Sequence, residues 1–280
     1  GHLKMSLYGT RDAAMNWQEE VAREMIRWGF RRGKYNPCLY YNPTSKLICM
    51  VHGDDFMSVG SVEAAKEFRQ QLKGRFEIKT QILGSGSLAR RACTTASDEE
   101  DQVKIEGRVL NRIIRWTAEG WEVEPDQRHV DLIVQEMGML EARPVSTPGE
   151  PEIKRGEEES EELDEKHTSK FRSIAARANY LAADRTDLMY SVKEICRGMA
   201  KPTEASWSTL KRLARYLSGC GRLVTKYPWQ GHENQVMSYS DSDWAGCKVT
   251  GKSTSGGVIM IGDHFLKGWS RTQNHVTTSS

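Results

Sequence analysis

The stretch CMVHGDDFMSVG, Cys49 to Gly60, places two acids, Asp54 and Asp55, side by side at the centre of what otherwise reads as a buried hairpin. Adjacent carboxylates repel, and in a partly buried site that costs free energy unless a cation compensates. Hard cations such as Mg²⁺ take oxygen ligands and are often held by one or two carboxylates plus substrate phosphates. Two such ions can activate an attacking hydroxyl and stabilise the leaving oxygen of a phosphoryl transfer. A tight hairpin suits this role because it projects acids from a rigid base, and Gly53 lets the backbone turn without a clash. The other reading is a solvent-exposed Asp-Asp turn, and the pair alone does not choose between them.

Working outward, residues 11–28 follow helical spacing through Ala14, Trp17, Val21, Met25 and Trp28, and Gly29 is placed to end the helix. Residues 35–60 read as strand, turn, strand and a second turn, with Asn-Pro twice as punctuation. A short helix follows, with Ser61 as N-cap and Gly74 near its end. Helix, hairpin, helix and strand make an α+β pattern.

Residues 84–102 look like an exposed loop, and 103–124 like two strands around Gly120. A helix ending at Gly138 comes next, then a linker at 143–168 rich in Pro, Gly and acids, which bounds two lobes. Three helices follow. The first runs from Ser169 to about Ala183, and the second carries Leu188, Val192, Ile195 and Met199 as one apolar stripe. The third starts near Pro202 and stops at Gly219, with Lys211, Arg212 and Arg215 on the face opposite its apolar side. The last fifty residues read as three short strands in an antiparallel meander, with Asp241 and Asp243 where the first strand ends.

The net charge of +2 hides a pattern. Residues 1–90 hold fourteen basic against nine acidic side chains, residues 201–226 six against one, and residues 150–165 nine acids against two bases. Basic lobes separated by an acidic strip could hold a polyanion; ordinary solvated helix faces are the alternative. The six cysteines are scattered without a CxxC pair, which argues against zinc and for free thiols in a reducing compartment. The expected location is intracellular, cytoplasmic or nuclear. No apolar run approaches the ~20 residues of a membrane span, so no membrane partner is expected.

The segments around Tyr8 and Gly9 (KMSLYGTRDAAMNW), around the acidic pair, at 128–149, at 179–219 and at 238–262 (SYSDSDWAGCKVTGKSTSGGVIMIG) occur in the order found in one family. In this the chain resembles the Pol polyprotein of copia-type (Ty1/copia) LTR retrotransposons, over the end of the reverse transcriptase and the beginning of the ribonuclease H domain. The resemblance covers nearly the whole chain and is weakest at 84–120. It implies a truncated polymerase palm at 1–83, a thumb-like region at 84–148, an acidic linker at 149–168, a helical connection at 169–228 and the N-terminal antiparallel strands of a ribonuclease H-like domain at 229–280.

The resemblance also implies roles. Asp54 and Asp55 match the acidic pair of the palm, a Val-Asp-Asp turn that holds Mg²⁺, with Mn²⁺ as a substitute. Tyr8 and Gly9 match the SLYG motif that lines the incoming nucleotide and template. Asp241 matches the first metal-binding carboxylate of ribonuclease H, and Asp243 and Trp244 match positions read as structural. Lys211, Arg212 and Arg215 would grip a nucleic-acid duplex. Implied partners are an RNA template, a DNA primer, their hybrid, deoxynucleotides and the rest of the polyprotein. Departures are Gly53 in place of Val, and Arg11, Asp12 and Ala14 in place of Lys, Gln and Pro. Asp12, an acid near a nucleotide phosphate, is expected instead to cap the helix or pair with Arg11.

Polymerases of this type need a third carboxylate from a strand before the SLYG motif, and ribonuclease H needs a Glu and further acids after the TTSS that ends this sequence. The chain is therefore expected to lie inside a longer reading frame and to be inactive by itself, since one missing catalytic group commonly costs about 10²–10³ in rate. Besides this enzyme-fragment reading stand a non-catalytic nucleic-acid-binding remnant and an unstable relic.

Overall fold

A computed structural model describes residues 6, 7, 9–85, 103–150, 160–231, 235–247 and 250–276. It is a mixed α and β structure whose larger sheets are antiparallel, in line with the α+β expectation. The chain divides into two units, Gly1–Gln81 and Ile82–Ser280.

In the first unit, helix α1 (Ala13–Arg27) leads into strands β1 (Arg31–Arg32), β2 (Leu39–Tyr41), β3 (Ile48–His52) and β4 (Asp55–Val59), followed by α2 (Val62–Arg75). The strands pair in chain order. The expected hairpin is thus β3–β4, and β1 and β2 extend it to a four-stranded sheet. Period-two alternation sorts the side chains between two faces. Tyr40, Cys49, Val51 and Phe56 join a core with Val21, Met25, Phe30, Phe68 and Leu72, so the inner face rests on both helices. Burial pushes the Cys49 thiol up to about 12, which keeps it protonated and inert. On the outer face, Arg31, Tyr41, Ile48 and Val59 stand in one cross-strand row, and all are exposed. Ser61 caps α2 as expected, accepting from the Ala64 amide at 3.2 Å.

The second unit carries β5 (Ile82–Leu83) and β6 (Val103–Lys104) as a short parallel pair, then β7 (Glu106–Val109), β8 (Arg112–Thr117) and β9 (Gly120–Glu124). Where two strands were expected in 103–124, four form. The turn between β7 and β8 places Leu110 and Asn111 both at positive φ, the two-residue geometry of a tight hairpin. Next come α3 (Gln127–Glu136), α4 (Glu165–Ala182), a 3₁₀ turn (Thr186–Leu188), α5 (Met189–Arg197) and α6 (Glu204–Gly219). Strand β10 (Thr225–Pro228) returns to pair with β9, about a hundred residues earlier, to give the sheet order β10-β9-β8-β7. The chain finishes with β11 (Val236–Ser242), β12 (Thr254–Ile261) and β13 (His264–Thr272), the expected meander.

Two helix starts differ from the reading above. Helix α4 begins a turn earlier, because Asp164 accepts the His167 amide at 2.7 Å and acts as cap. Helix α6 is capped by Thr203, whose hydroxyl accepts from Ser206, so Pro202 lies outside the first turn. The acidic stretch interrupts the sequence but not the core: Ile133 and Val134 of α3 pack with Phe171, Ile174, Val192, Ile195, Leu210 and Leu213 of the three later helices.

One buried cation ties this core together. Arg185 is 1% exposed and donates to both oxygens of Asp187 (2.9 and 2.7 Å) and to the carbonyls of Cys220 (2.9 Å) and Gly221 (2.8 Å). It thereby joins the end of α4 to the end of α6. Burial pushes Asp187 up, but the Arg185 bonds and the Tyr216 hydroxyl outweigh it and hold the carboxyl below its usual range. At the rim of the β7–β10 sheet, Arg222 grips both oxygens of buried Glu124 at 2.8 and 2.9 Å and depresses that carboxyl against the opposing effect of burial.

Replacing Arg185 with Ala strands a half-buried carboxylate and two helix-end carbonyls. The expected loss is about 3–5 kcal/mol by urea unfolding, whereas an exposed cation such as Lys166 changed to Ala shifts stability by roughly 0.5 kcal/mol or less. The two depressed carboxyls also set a pH response. Their contribution is complete above the unfolded values near about 4 and is lost as pH falls through the lower folded values. The melting temperature is therefore expected to fall as pH drops below about 4, and Arg222→Gln, which removes the Glu124 contribution, flattens that fall.

Candidate functional site

The acids Asp54 and Asp55 sit at the tip of the β3–β4 hairpin, where His52 pairs with Asp55 across a two-residue turn of Gly53 and Asp54. Gly53 has φ +63° and is the first central residue, the position where such a turn favours glycine. A Cβ built there meets nothing within 4 Å, so the constraint is conformational rather than one of space. A β-branched residue would be strained at that angle, and the glycine relieves it.

The tip is fastened from below. The indole Nε1 of Trp17, on α1, donates to the Gly53 carbonyl at 2.7 Å. The Trp17 ring meets Phe76 edge-on at 5.3 Å, and Phe76 lies 6.0 Å from Phe56 of β4. Helix α1 and the segment after α2 thus hold the two carboxylates in place through one donor and three rings. Both acids are exposed, and no ion pair engages either of them among the described residues. Solvent screens their mutual repulsion, and with no cationic side chain among the described residues engaging them both remain available as hard-cation ligands.

Two carboxylates match the part of a Mg²⁺ shell that protein supplies when phosphates and water complete it. Among the described residues, no group of three or more His, Cys, Asp or Glu side chains is arranged to hold a metal. The pair therefore fits a shared centre and not a closed protein-only site.

The other expected residues fall in several places. Tyr8 lies outside the described residues. Gly9 is exposed at φ +89° in a turn where the Thr10 hydroxyl donates to the Leu7 carbonyl at 2.8 Å. Asp12 stands at the N-cap of α1 but caps nothing with its side chain, because its helical backbone angles turn the carboxylate away from the first amides. No Arg11 pair replaces that cap among the described residues.

In the second unit, Asp241 lies on the exposed strand β11 and accepts the Ser242 amide at 2.8 Å. It edges a groove of about 480 Å³ with Tyr190, Asp243, Phe265 and Trp269. Asp243 accepts the Thr254 amide at 2.6 Å and returns its own amide to the Thr254 carbonyl at 3.1 Å, so it closes the β11–β12 pairing. Trp244 is 64% exposed and is no part of a core.

The cationic face of α6 is largely occupied by the chain itself. Arg212 pairs with Glu150 and donates to the Thr147 hydroxyl, and Arg215 donates to the Arg143 carbonyl at 2.9 Å. Residues 143–150 run back along the helix and take both guanidiniums; of the three expected cations, Lys211 is the exposed one. Trp17 was legible in the sequence only as a helix-face residue, and no spacing signal marks an indole that reaches a carbonyl 36 positions away.

Comparison with known proteins bears on these residues together. The chain is 27% identical over 284 residues, 99% of its length, to the retrovirus-related Pol polyprotein from transposon RE2 of Arabidopsis thaliana. It is 22% identical over 293 residues, again 99% of its length, to that from transposon TNT 1-94 of Nicotiana tabacum. The chain is related to the Pol polyproteins of copia-type retrotransposons. It spans about a fifth of their length, 18% of the first and 20% of the second. A shorter relative, the uncharacterized mitochondrial protein AtMg00810 of Arabidopsis thaliana, is 32% identical over 153 residues, covering 55% of this chain and 62% of that one. No family model matches the chain. No solved structure matches it either. Among the described residues of this Pol relative, no helix is long and apolar enough to cross a membrane, and Cys38, Cys49, Cys196, Cys220 and Cys247 are free thiols.

The Trp17 indole gives a direct test of how the tip is held. Trp17→Phe keeps the ring but removes the donor. Amide hydrogen exchange over Gly53–Phe56 is expected to rise roughly fivefold, matching the ~1 kcal/mol of a lost hydrogen bond, with α2 unaffected. Unchanged exchange at the tip rules out the anchoring role.

Proposed function

We propose that this Pol-related chain supplies the metal-binding half of a reverse transcriptase palm together with the first strands of a ribonuclease H-like domain. The observation that carries the reading is the fastened hairpin tip bearing two adjacent, exposed carboxylates engaged by no ion pair among the described residues, in a chain that aligns over 99% of its own length with part of a Pol polyprotein. Bound there, Mg²⁺ would lower the charge of a nucleotide's phosphates and activate the attacking hydroxyl. The protein's own share is positional. Gly53 sets the turn, Trp17 fixes its carbonyl, and Asp54 and Asp55 present oxygens from a rigid base. On this reading residues 1–83 form the palm, 84–148 the thumb-like region, 149–168 the linker and 169–228 the connection, and Asp241, within the ribonuclease H-like part at 229–280, is a ligand of the second centre.

The partners on this reading are an RNA template, a DNA primer, their hybrid and deoxynucleotides. Asp54 and Asp55 lack a third carboxylate among the described residues, and Asp241 shares its groove with Asp243, whose oxygen is taken by the Thr254 amide. On this reading the chain is expected to need further groups before it turns over. A second reading, nucleic-acid binding without catalysis, draws on the excess of basic side chains at 1–90 and 201–226.

The test is primer extension on an RNA template with Mg²⁺ and deoxynucleotides. The expected result is no incorporation by the chain alone, and incorporation once it is embedded in a full-length Pol relative. Asp54→Asn with Asp55→Asn is expected to abolish the latter, at a loss of at least about 10³. Full activity in that double variant removes the polymerase assignment.

A further inference from the structure

Between α3 and α4, residues 143–150 form a strap along α6. At one end the Arg143 carbonyl accepts from Arg215 Nε at 2.9 Å, and Pro144 presses on Gly219, where a Cβ would meet the proline Cβ at 2.5 Å. At the other end a Cβ on Gly149 would meet the Ser191 hydroxyl of α5 at 2.6 Å, and Glu150 pairs with Arg212 Nη1. Between these pins Ser146 and Thr147 are exposed, in backbone that is neither helix nor strand. Thr147 is followed by Pro148, and of the eight prolines in the sequence Pro148 alone follows a serine or threonine.

The Thr147 hydroxyl sits against one edge of a guanidinium. Arg212 Nη2 donates to it at 2.8 Å, while the hydroxyl donates to the Gly149 carbonyl at 3.0 Å. Arg212 Nε, on the same edge, is buried and has no hydrogen-bond partner among the described residues. Glu150 takes only Nη1. The Nε–Nη2 edge is a parallel pair of donors that fits two oxygens of a carboxylate or phosphate. Here one neutral hydroxyl meets that pair and one buried donor is left over, an arrangement that a group with more oxygens on Thr147 would complete.

We propose that Thr147 is a phosphorylation site, and that its phosphate locks the 143–150 strap to α6 through Arg212 and Arg215. The modifying partner is a proline-directed serine/threonine kinase. Proline at the next position holds Thr147 in extended backbone, the form a kinase cleft accepts. In the transfer, Thr147 Oγ1 bonds to the γ-phosphorus of ATP as the bond to the β-phosphate oxygen breaks. ADP leaves, and the hydroxyl proton passes to the kinase's base. The product carries about −1.5 to −2 charges and three acceptor oxygens. Two of these suit Nε and Nη2 of Arg212. Arg215, three residues on and on the same helix face, supplies a second cation. Glu150 opposes with a single negative charge. Unmodified, the strap is held to α6 by one ion pair and two hydrogen bonds among the described residues and can lift. Phosphorylated, it stays down and withholds both arginines from any outside polyanion. The inference is independent of the polymerase reading, since it uses no metal and neither Asp54 nor Asp55.

The test incubates the full chain with ATP, Mg²⁺ and a proline-directed kinase and maps the product by fragment mass spectrometry. One phosphate is expected, on Thr147, and none on Thr147→Val. Amide exchange at 145–147, 149 and 150 is expected to slow at least about tenfold on phosphorylation, the effect of charge-assisted hydrogen bonds. Arg212→Gln should still accept the phosphate but lose the slowing. Arg212→Lys, which keeps the charge without the fork, should retain only part of it. Lys211→Gln, at the exposed neighbouring position, should leave it intact. Each variant is compared with its own unmodified form, so a change in basal stability drops out. Phosphorus NMR gives a second readout: the second ionisation of the phosphate lies below about 6 in the parent and returns toward it in Arg212→Gln.

No phosphate on Thr147 of the folded chain, or one added only after heat unfolding, overturns the site. Unchanged exchange in the phosphorylated parent, or equal slowing in Arg212→Gln, overturns the lock.

Discussion

The Arg185 guanidinium is the fixed point of the larger unit. A charge that is 1% exposed is tolerated only because Asp187 neutralises it and two helix-end carbonyls fill its remaining donors. The carbonyls belong to Cys220 and Gly221, which follow α6, and the arginine itself follows α4. Two helices that meet in an apolar core are thereby fixed in register by one polar contact. Apolar side chains alone would allow sliding, since dispersion has little directional preference. The turn after α6 then starts β10 where it can pair with β9, and the nearby Arg222–Glu124 pair secures that strand start.

In the smaller unit the governing constraint is the opposite one. Two like charges remain adjacent because solvent screens them, while the residues beneath them are packed. The turn glycine, the Trp17 donor and the edge-on rings of Phe76 and Phe56 convert a short hairpin into a stiff mount. A flexible acidic loop could bind a hard cation, but it would lose that affinity to ordering entropy at every encounter.

Much of this was legible. The helical stripes of Val21 and Met25 and of Leu188, Val192 and Ile195 place those faces in the cores, because burial drives periodicity. The β3–β4 hairpin, the Ser61 cap and the closing meander follow from local turn chemistry. What escaped runs against residue propensity or depends on distant partners. Leu110-Asn111 does not look like a tight turn, since leucine seldom takes positive φ; the pairing of the adjacent strands β7 and β8 imposes it. The β9–β10 pairing joins segments separated by a helical core, and no local pattern encodes it. Residue type alone offers the cations of α6 to nucleic acid, yet Glu150 and the Arg143 carbonyl, inside a stretch read as linker, take two of them. Of the site, the acids were readable and the Trp17 support was not. Asp12 looked like a cap by residue type, and its backbone angles deny it that role.

The union of β9 with β10 also dictates an order of synthesis. The residues up to Gln81 contain all four strands of their sheet and both helices, so that unit can close as soon as it leaves the ribosome. The sheet that begins at Glu106 cannot: its last strand arrives only with Pro228, after roughly a hundred further residues have been translated. At a translation rate of about 5–20 residues per second, β9 waits some seconds with one edge bare. During that interval the nascent chain is a half-built sheet whose bare strand carries the acids Glu122 and Glu124, charges of the kind that discourage mispairing with neighbouring chains.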